Sequence, residues 1–88
     1  MKLLVEITMY PLHDDHLQSI DNFLALLNAA EEVEVKTGRM STLLYGEHAT
    51  VMDLLKEAMA ASHAEEAASA AFVLKMIPGA PRTLNGYS

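Results

Sequence analysis

Residues 31–47, "EEVEVKTGRMSTLLYGE", decide how this chain folds. Val33 and Val35 alternate with Glu34 and Lys36, a period of two that marks a strand with one apolar face. Thr37, Gly38 and Arg39 then offer a tight connection before "MSTLLY" (residues 40–45), so the stretch reads as a β-hairpin.

The pattern turns helical on both sides of the hairpin. Upstream, Leu17, Ile20, Phe23, Leu24 and Leu27 recur at spacings of three and four, which predicts a helix over 15–30. Asp15 is placed to cap its first turn, and Gln18 follows three residues later as a capping box requires. Downstream, Val51, Leu54, Leu55, Ala58 and Met59 oppose Asp53, Lys56 and Glu57, so a second helix runs from about 48 into the 60s.

Strands close the pattern at both ends. In "KLLVEITMY" (2–10) Leu3, Val5, Ile7 and Met9 are all apolar, and Pro11 cannot donate a ladder hydrogen bond, so the first strand ends near Tyr10. The alanine-rich run before "FVLKMIPG" favours helix, while Phe72, Val73 and Ile77 with the Pro-Gly stop favour strand, and the switch is placed near Ala70. The order is strand, helix, strand, strand, helix, strand. In a chain of 88 residues this is the ferredoxin-like α+β arrangement, a four-stranded antiparallel sheet with both helices on one face, and right-handed crossovers select it over its mirror image. Residues 1–78 form one domain and 79–88 a tail, in which Leu84 and Tyr87 are available to dock on a neighbour.

Composition narrows the function. Apolar residues are 51% of the chain and charged residues 20%, too hydrophobic a mixture for a disordered segment. A net charge of −6, with six Lys and Arg residues scattered along the chain, repels phosphate backbones and makes nucleic acid an unfavourable partner. There is no cysteine, so disulfides, thiolate metal sites and a cysteine nucleophile are excluded together. The N-terminus is too broken for a signal peptide and no apolar run approaches about 18 residues; the expectation is a soluble, cytoplasmic protein without a membrane span. "HDDH" (His13, Asp14, Asp15, His16) lacks a third matched ligand and is a poor metal site. No cofactor is implied. No nucleophile with an adjacent base, phosphate loop or paired-acid motif supports catalysis.

The face of the sheet that the helices leave open carries the information. On the first strand Leu4, Glu6, Thr8 and Tyr10 point there, and this set is half apolar or aromatic where a solvated face would be charged. If Leu44 joins the core, Ser41, Leu43 and Tyr45 fall on the same open face. Such a surface suits sheet-to-sheet association into a homodimer or homotetramer, and equally a pocket for a small aromatic cation.

"ITMYPLHDDH" (7–16), with a strand ending in Tyr-Pro-Leu before a helix, "VKTGRMSTLLYGE" (35–47) and "VMDLLKEAM" (51–59) together resemble the YkoF and thiamine-binding protein families. The ordered elements are Tyr10-Pro11-Leu12, Gly38 with Met40, Ser41 and Thr42, and Gly46-Glu47. The resemblance implies binding of thiamine or its hydroxymethylpyrimidine moiety without catalysis, and, because some members carry two such domains in one chain, association of copies of this single domain. An aminopyrimidine needs donors and acceptors on its edge, and a thiazolium favours a carboxylate or an aromatic face. The expected ligand contacts are Glu6 for charge or amino-group recognition, Thr8, Ser41 and Thr42 for hydrogen bonding, and Tyr10 with Tyr45 for stacking. Structural roles compete with these: Thr42 as an ordinary strand residue, Glu6 as a cross-strand partner of Lys36 or Lys75, and Gly46-Glu47 as a strand-to-helix turn. The alternative for the whole domain is an interaction module that oligomerises through its open face without a small ligand.

Overall fold

The computed structural model describes residues 1–14, 16–66 and 70–80, and for residues 16, 65 and 66 the backbone only. Asp15, Leu84 and Tyr87 lie outside the described residues. The elements follow as β1 (Lys2–Pro11), α1 (His16–Asn28), β2 (Glu34–Thr37), β3 (Thr42–Glu47), α2 (His48–Glu66) and β4 (Ala70–Pro78). They build one four-stranded sheet in the order β2-β3-β1-β4 with every neighbouring pair antiparallel. This is the ferredoxin-like α+β fold, and both crossovers pass over the same side of the sheet.

Register fixes which side chains share a face. Leu3, Val5 and Ile7 of β1 stand opposite Gly46, Leu44 and Thr42 of β3, and this set points toward the helices. Leu3, Val5, Ile7, Phe23, Leu27, Val33, Leu44, Val51, Leu55 and Ala58 form the buried core. Phe23 and Phe72 pack with ring centroids 5.0 Å apart at 48°, a tilted aromatic contact that ties α1 to β4. The Met1 carbonyl accepts from the His48 amide at 2.8 Å, which fastens the start of α2 to the start of β1.

The first strand ends within one residue of Tyr10, as expected, while two other local expectations need revision. Pro11 remains within β1, paired with Ala70 on the edge strand, because its missing N–H removes one bond without ending the extended backbone. Leu17 is 70% exposed, since the inward face of α1 centres on Ser19, Phe23 and Leu27 at steps of four and Leu17 lies off that line. Gly46 answers to space rather than to flexibility: a Cβ there would meet the Glu32 carbonyl oxygen at 3.2 Å and Val51 Cγ2 at 3.3 Å, and no positive φ calls for glycine. The positive φ falls instead at Gly79, at 75°, where the chain turns after β4 and its amide donates to the Lys2 carbonyl at 2.7 Å.

That turn carries Ala80 over the open face. Ala80 is buried against Leu4 and Tyr45, with Leu43 alongside, so a second small apolar cluster roofs one end of that face.

Candidate functional site

The six expected contact residues divide between the two faces of the sheet. Leu4, Glu6, Thr8 and Tyr10 of β1 face away from the helices together with Leu43 and Tyr45 of β3 and Val73, Lys75 and Ile77 of β4. Glu6 is the carboxylate of this group. It accepts a hydrogen bond from the Ser41 hydroxyl at 3.0 Å through Oε2, while Oε1 lies 3.9 Å from Lys75 Nζ. The carboxylate is 42% exposed, so it stays open to solvent and to a ligand from one side. A shallow hollow of about 210 Å³ lies beside it, lined by Leu4, Glu6, Leu43, Lys75 and Ile77.

Tyr45 is committed to the fold. Its ring is buried, its hydroxyl donates to the Ala80 carbonyl at 2.9 Å, and Lys2 Nζ sits 6.0 Å from its centroid. The ring therefore fills the roofed end of the open face. Tyr10 stands free at the far end of β1, 53% exposed.

Thr42 lies on the other side. It pairs with Ile7 and Thr37, points toward the helices, and is 5% exposed. There it borders a cavity of about 170 Å³ between α1, the end of β1 and the β2–β3 hairpin tip. Ile7, Met9, Ile20, Phe23 and Leu24 supply apolar walls, and Thr37, Ser41 and Thr42 supply hydroxyl-bearing residues at the hairpin end. The Thr42 hydroxyl makes no hydrogen bond among the described residues, and as no buried side-chain polar atom there is left without a partner, its oxygen is open to solvent at the cavity. Thr8 borders the same cavity and its hydroxyl donates to the Met40 carbonyl at 3.3 Å, pinning the hairpin tip to β1. The Gly38 amide donates to the Ser41 carbonyl at 2.9 Å, which leaves Arg39 and Met40 as the exposed tip. Ser41, like Thr8, belongs to both regions: it borders the cavity and bonds Glu6 on the open face.

An apolar slot with a few placed polar groups is the usual form of a small-molecule site. About 150 Å³ of apolar space is enough to take a benzene ring. The helix-side cavity is thus matched to a single six-membered ring with small substituents.

A family model described as thiamine-binding protein matches residues 5–78, which take in β1 from Val5 onward, the other three strands and both helices. The chain belongs to the thiamine-binding protein family. Solved structures give the same fold. A Streptococcus pneumoniae protein is 26% identical, with a TM-score of 0.85 over 98% of this chain and 96% of the other. A Thermotoga maritima protein described as a candidate for thiamine biosynthesis or salvage is 20% identical, with a TM-score of 0.82 over 99% and 96% of the two chains. A Bacillus cereus domain of unknown function is 19% identical, with a TM-score of 0.78 over 99% and 86%. No protein of curated function matches the sequence.

Two features of this family member escaped the reading of its residues. Arg39 borders the cavity, yet a lone basic residue in a turn carries no signal by itself. His13, read within "HDDH", places Nε2 2.8 Å from the hydroxyl of Ser19, a fully buried residue on the inward face of α1. The polar residue in an otherwise apolar stripe was the available clue, because a buried hydroxyl requires a partner. Among the described residues no group of three or more His, Cys, Asp or Glu side chains could hold a metal ion, and no helix is long and apolar enough to cross a membrane.

Proposed function

We propose that this domain binds thiamine or its hydroxymethylpyrimidine moiety without catalysing a reaction on it, in transport, salvage or sequestration. Family membership supports a thiamine-related ligand. One observation carries the site: the Thr42 hydroxyl, on a residue 5% exposed, makes no hydrogen bond among the described residues and opens onto a ring-sized cavity. A hydroxyl in such a place is satisfied by a ligand or by water, and the aminopyrimidine edge offers both donors and acceptors.

In this reading the pyrimidine enters between Phe23, Ile20 and Met9, and Thr42 and Ser41 address its polar edge. Glu6, reached through Ser41, supplies the negative charge that a thiazolium favours outside the cavity. Tyr10 is available for stacking at the strand end, Thr8 holds the rim, and Tyr45 supports the surface from below without touching the ligand through its hydroxyl. Calorimetric titration with thiamine and with hydroxymethylpyrimidine tests the proposal. Saturable heat is expected with at least one of them, and no heat from either at high micromolar protein sinks it.

The open face supports association of two copies. Val73 and Ile77 are about half exposed there, at 52% and 51%, next to the partly buried Leu43, and apolar side chains grouped on an uncovered sheet are a usual interaction surface. Sedimentation velocity on the wild type and on Val73→Glu checks this, with a shift toward the monomer expected in the variant.

A further inference from the structure

Arg39 sits at the tip of the β2–β3 hairpin, borders the helix-side cavity, and makes no ion pair or side-chain hydrogen bond among the described residues. In a chain with a net charge of −6, an arginine without an ion pair thus stands at the rim of a ring-sized slot. The walls of the slot are apolar and its hydroxyls are neutral, so among the described residues Arg39 is the one full positive charge bordering it.

We propose that Arg39 reads a phosphomonoester on the ligand, so that the site prefers the phosphorylated pyrimidine to the free alcohol. This inference rests on the pyrimidine reading above. The chemistry narrows the anion. Hydroxymethylpyrimidine carries an alcohol arm, and phosphorylation of that alcohol converts it into a dianionic group beside a neutral ring. A guanidinium presents a planar fork of N–H donors that matches phosphate oxygens in pairs, and charge-assisted bonds of this kind are stronger than neutral ones. The placement also suits the size of the slot. A cavity of about 170 Å³ holds the ring and little more, so a phosphate must project through the mouth, where the hairpin tip stands. Thr8, by bonding the Met40 carbonyl, keeps that tip, and Arg39 with it, near β1.

Lys75 does not substitute for Arg39. It faces the opposite side of the sheet, 3.9 Å from Glu6, whose carboxylate would repel a phosphate. The positive charge of Arg39 also opposes that of a thiazolium, so the contrast is cleanest on the neutral pyrimidine.

Titration of the wild type with hydroxymethylpyrimidine and with its monophosphate, at low and at physiological salt, tests the inference. The monophosphate is expected to bind at least about threefold more tightly, with the gain shrinking as salt screens an exposed charge pair. Arg39→Gln, at an exposed turn position, should keep its melting temperature and its affinity for the free alcohol while losing the gain. Equal or weaker binding of the monophosphate by the wild type, or a gain that survives in Arg39→Gln, overturns the role of Arg39 and leaves the pyrimidine site standing. Binding of neither form overturns the pyrimidine reading together with it.

Discussion

Ser41 and Thr42 are consecutive in the chain and address opposite faces of the sheet: the Ser41 hydroxyl reaches Glu6 at 3.0 Å, and Thr42 turns inward beside the cavity under α1. The pair therefore works on two regions at once. Ser41 orients a carboxylate, and Thr42 presents a solvent-accessible hydroxyl to a largely apolar slot.

Replacing Thr42 with Val keeps the branched shape and removes the hydroxyl. Because the hydroxyl has no partner among the described residues, stability should hold to within about 1 kcal/mol, the net worth of one ordinary hydrogen bond. Affinity for hydroxymethylpyrimidine should fall about tenfold, as loss of roughly 1.4 kcal/mol does. Thermal melting and calorimetry on the same sample separate the two effects; a variant that binds as well as the wild type removes Thr42 from the site.

Ser41→Ala and Glu6→Gln probe the other half. Glu6 is part-exposed, so solvent screens its contact with Ser41 and the stability cost of either change should stay under about 1 kcal/mol. If the carboxylate serves the thiazolium as proposed, both variants should weaken thiamine more than the uncharged pyrimidine. Equal losses for the two ligands would show that Glu6 acts on the ring rather than on the charge.

Gly46→Ala tests packing. The added methyl meets the Glu32 carbonyl oxygen and the Val51 side chain at 3.2 and 3.3 Å, and overpacking of this kind costs about 1–3 kcal/mol. Urea denaturation should show a lower midpoint with an unchanged slope.

Acid titration isolates Glu47. Its side chain bonds Lys2 and then the N-terminal ammonium, at 3.2 and 3.3 Å, and these contacts hold its carboxyl below the usual carboxylate range. A group with a depressed folded-state pKa contributes stability above its unfolded value and loses it as the pH falls through the folded one. Wild-type melting temperature should drop through that acidic interval, and Glu47→Gln should flatten part of the drop. Added salt should shrink the difference because the pair is exposed.

The alternation of Leu3, Val5, Ile7 and Met9 and the hairpin at 31–47 made the fold legible, because a period of two fixes a strand's faces without knowledge of its partners. The same rule puts Thr42 on the opposite face from its neighbour Ser41, so naming both as contacts of one ligand set a motif's adjacency above the pleat. The position of Tyr45 under Ala80 depended on where the chain goes after β4, a contact spanning 35 residues with no local trace. The cavity under α1 was equally hidden, since it is the space left by Phe23, Met9 and the hairpin tip once they are in place. Leu17 shows the limit of helical spacing, which identifies a stripe but not its centre.

The backbone crossing from Gly79 to Ala80 sets a steric limit on any stacked pair. Because Ala80 stands above Leu4 and Tyr45, two copies laid face to face would collide there if they were centred on one another. A stacked pair would then have to be offset toward the half of the face that carries Glu6, Val73 and Tyr10, with the carboxylate of each copy near the seam.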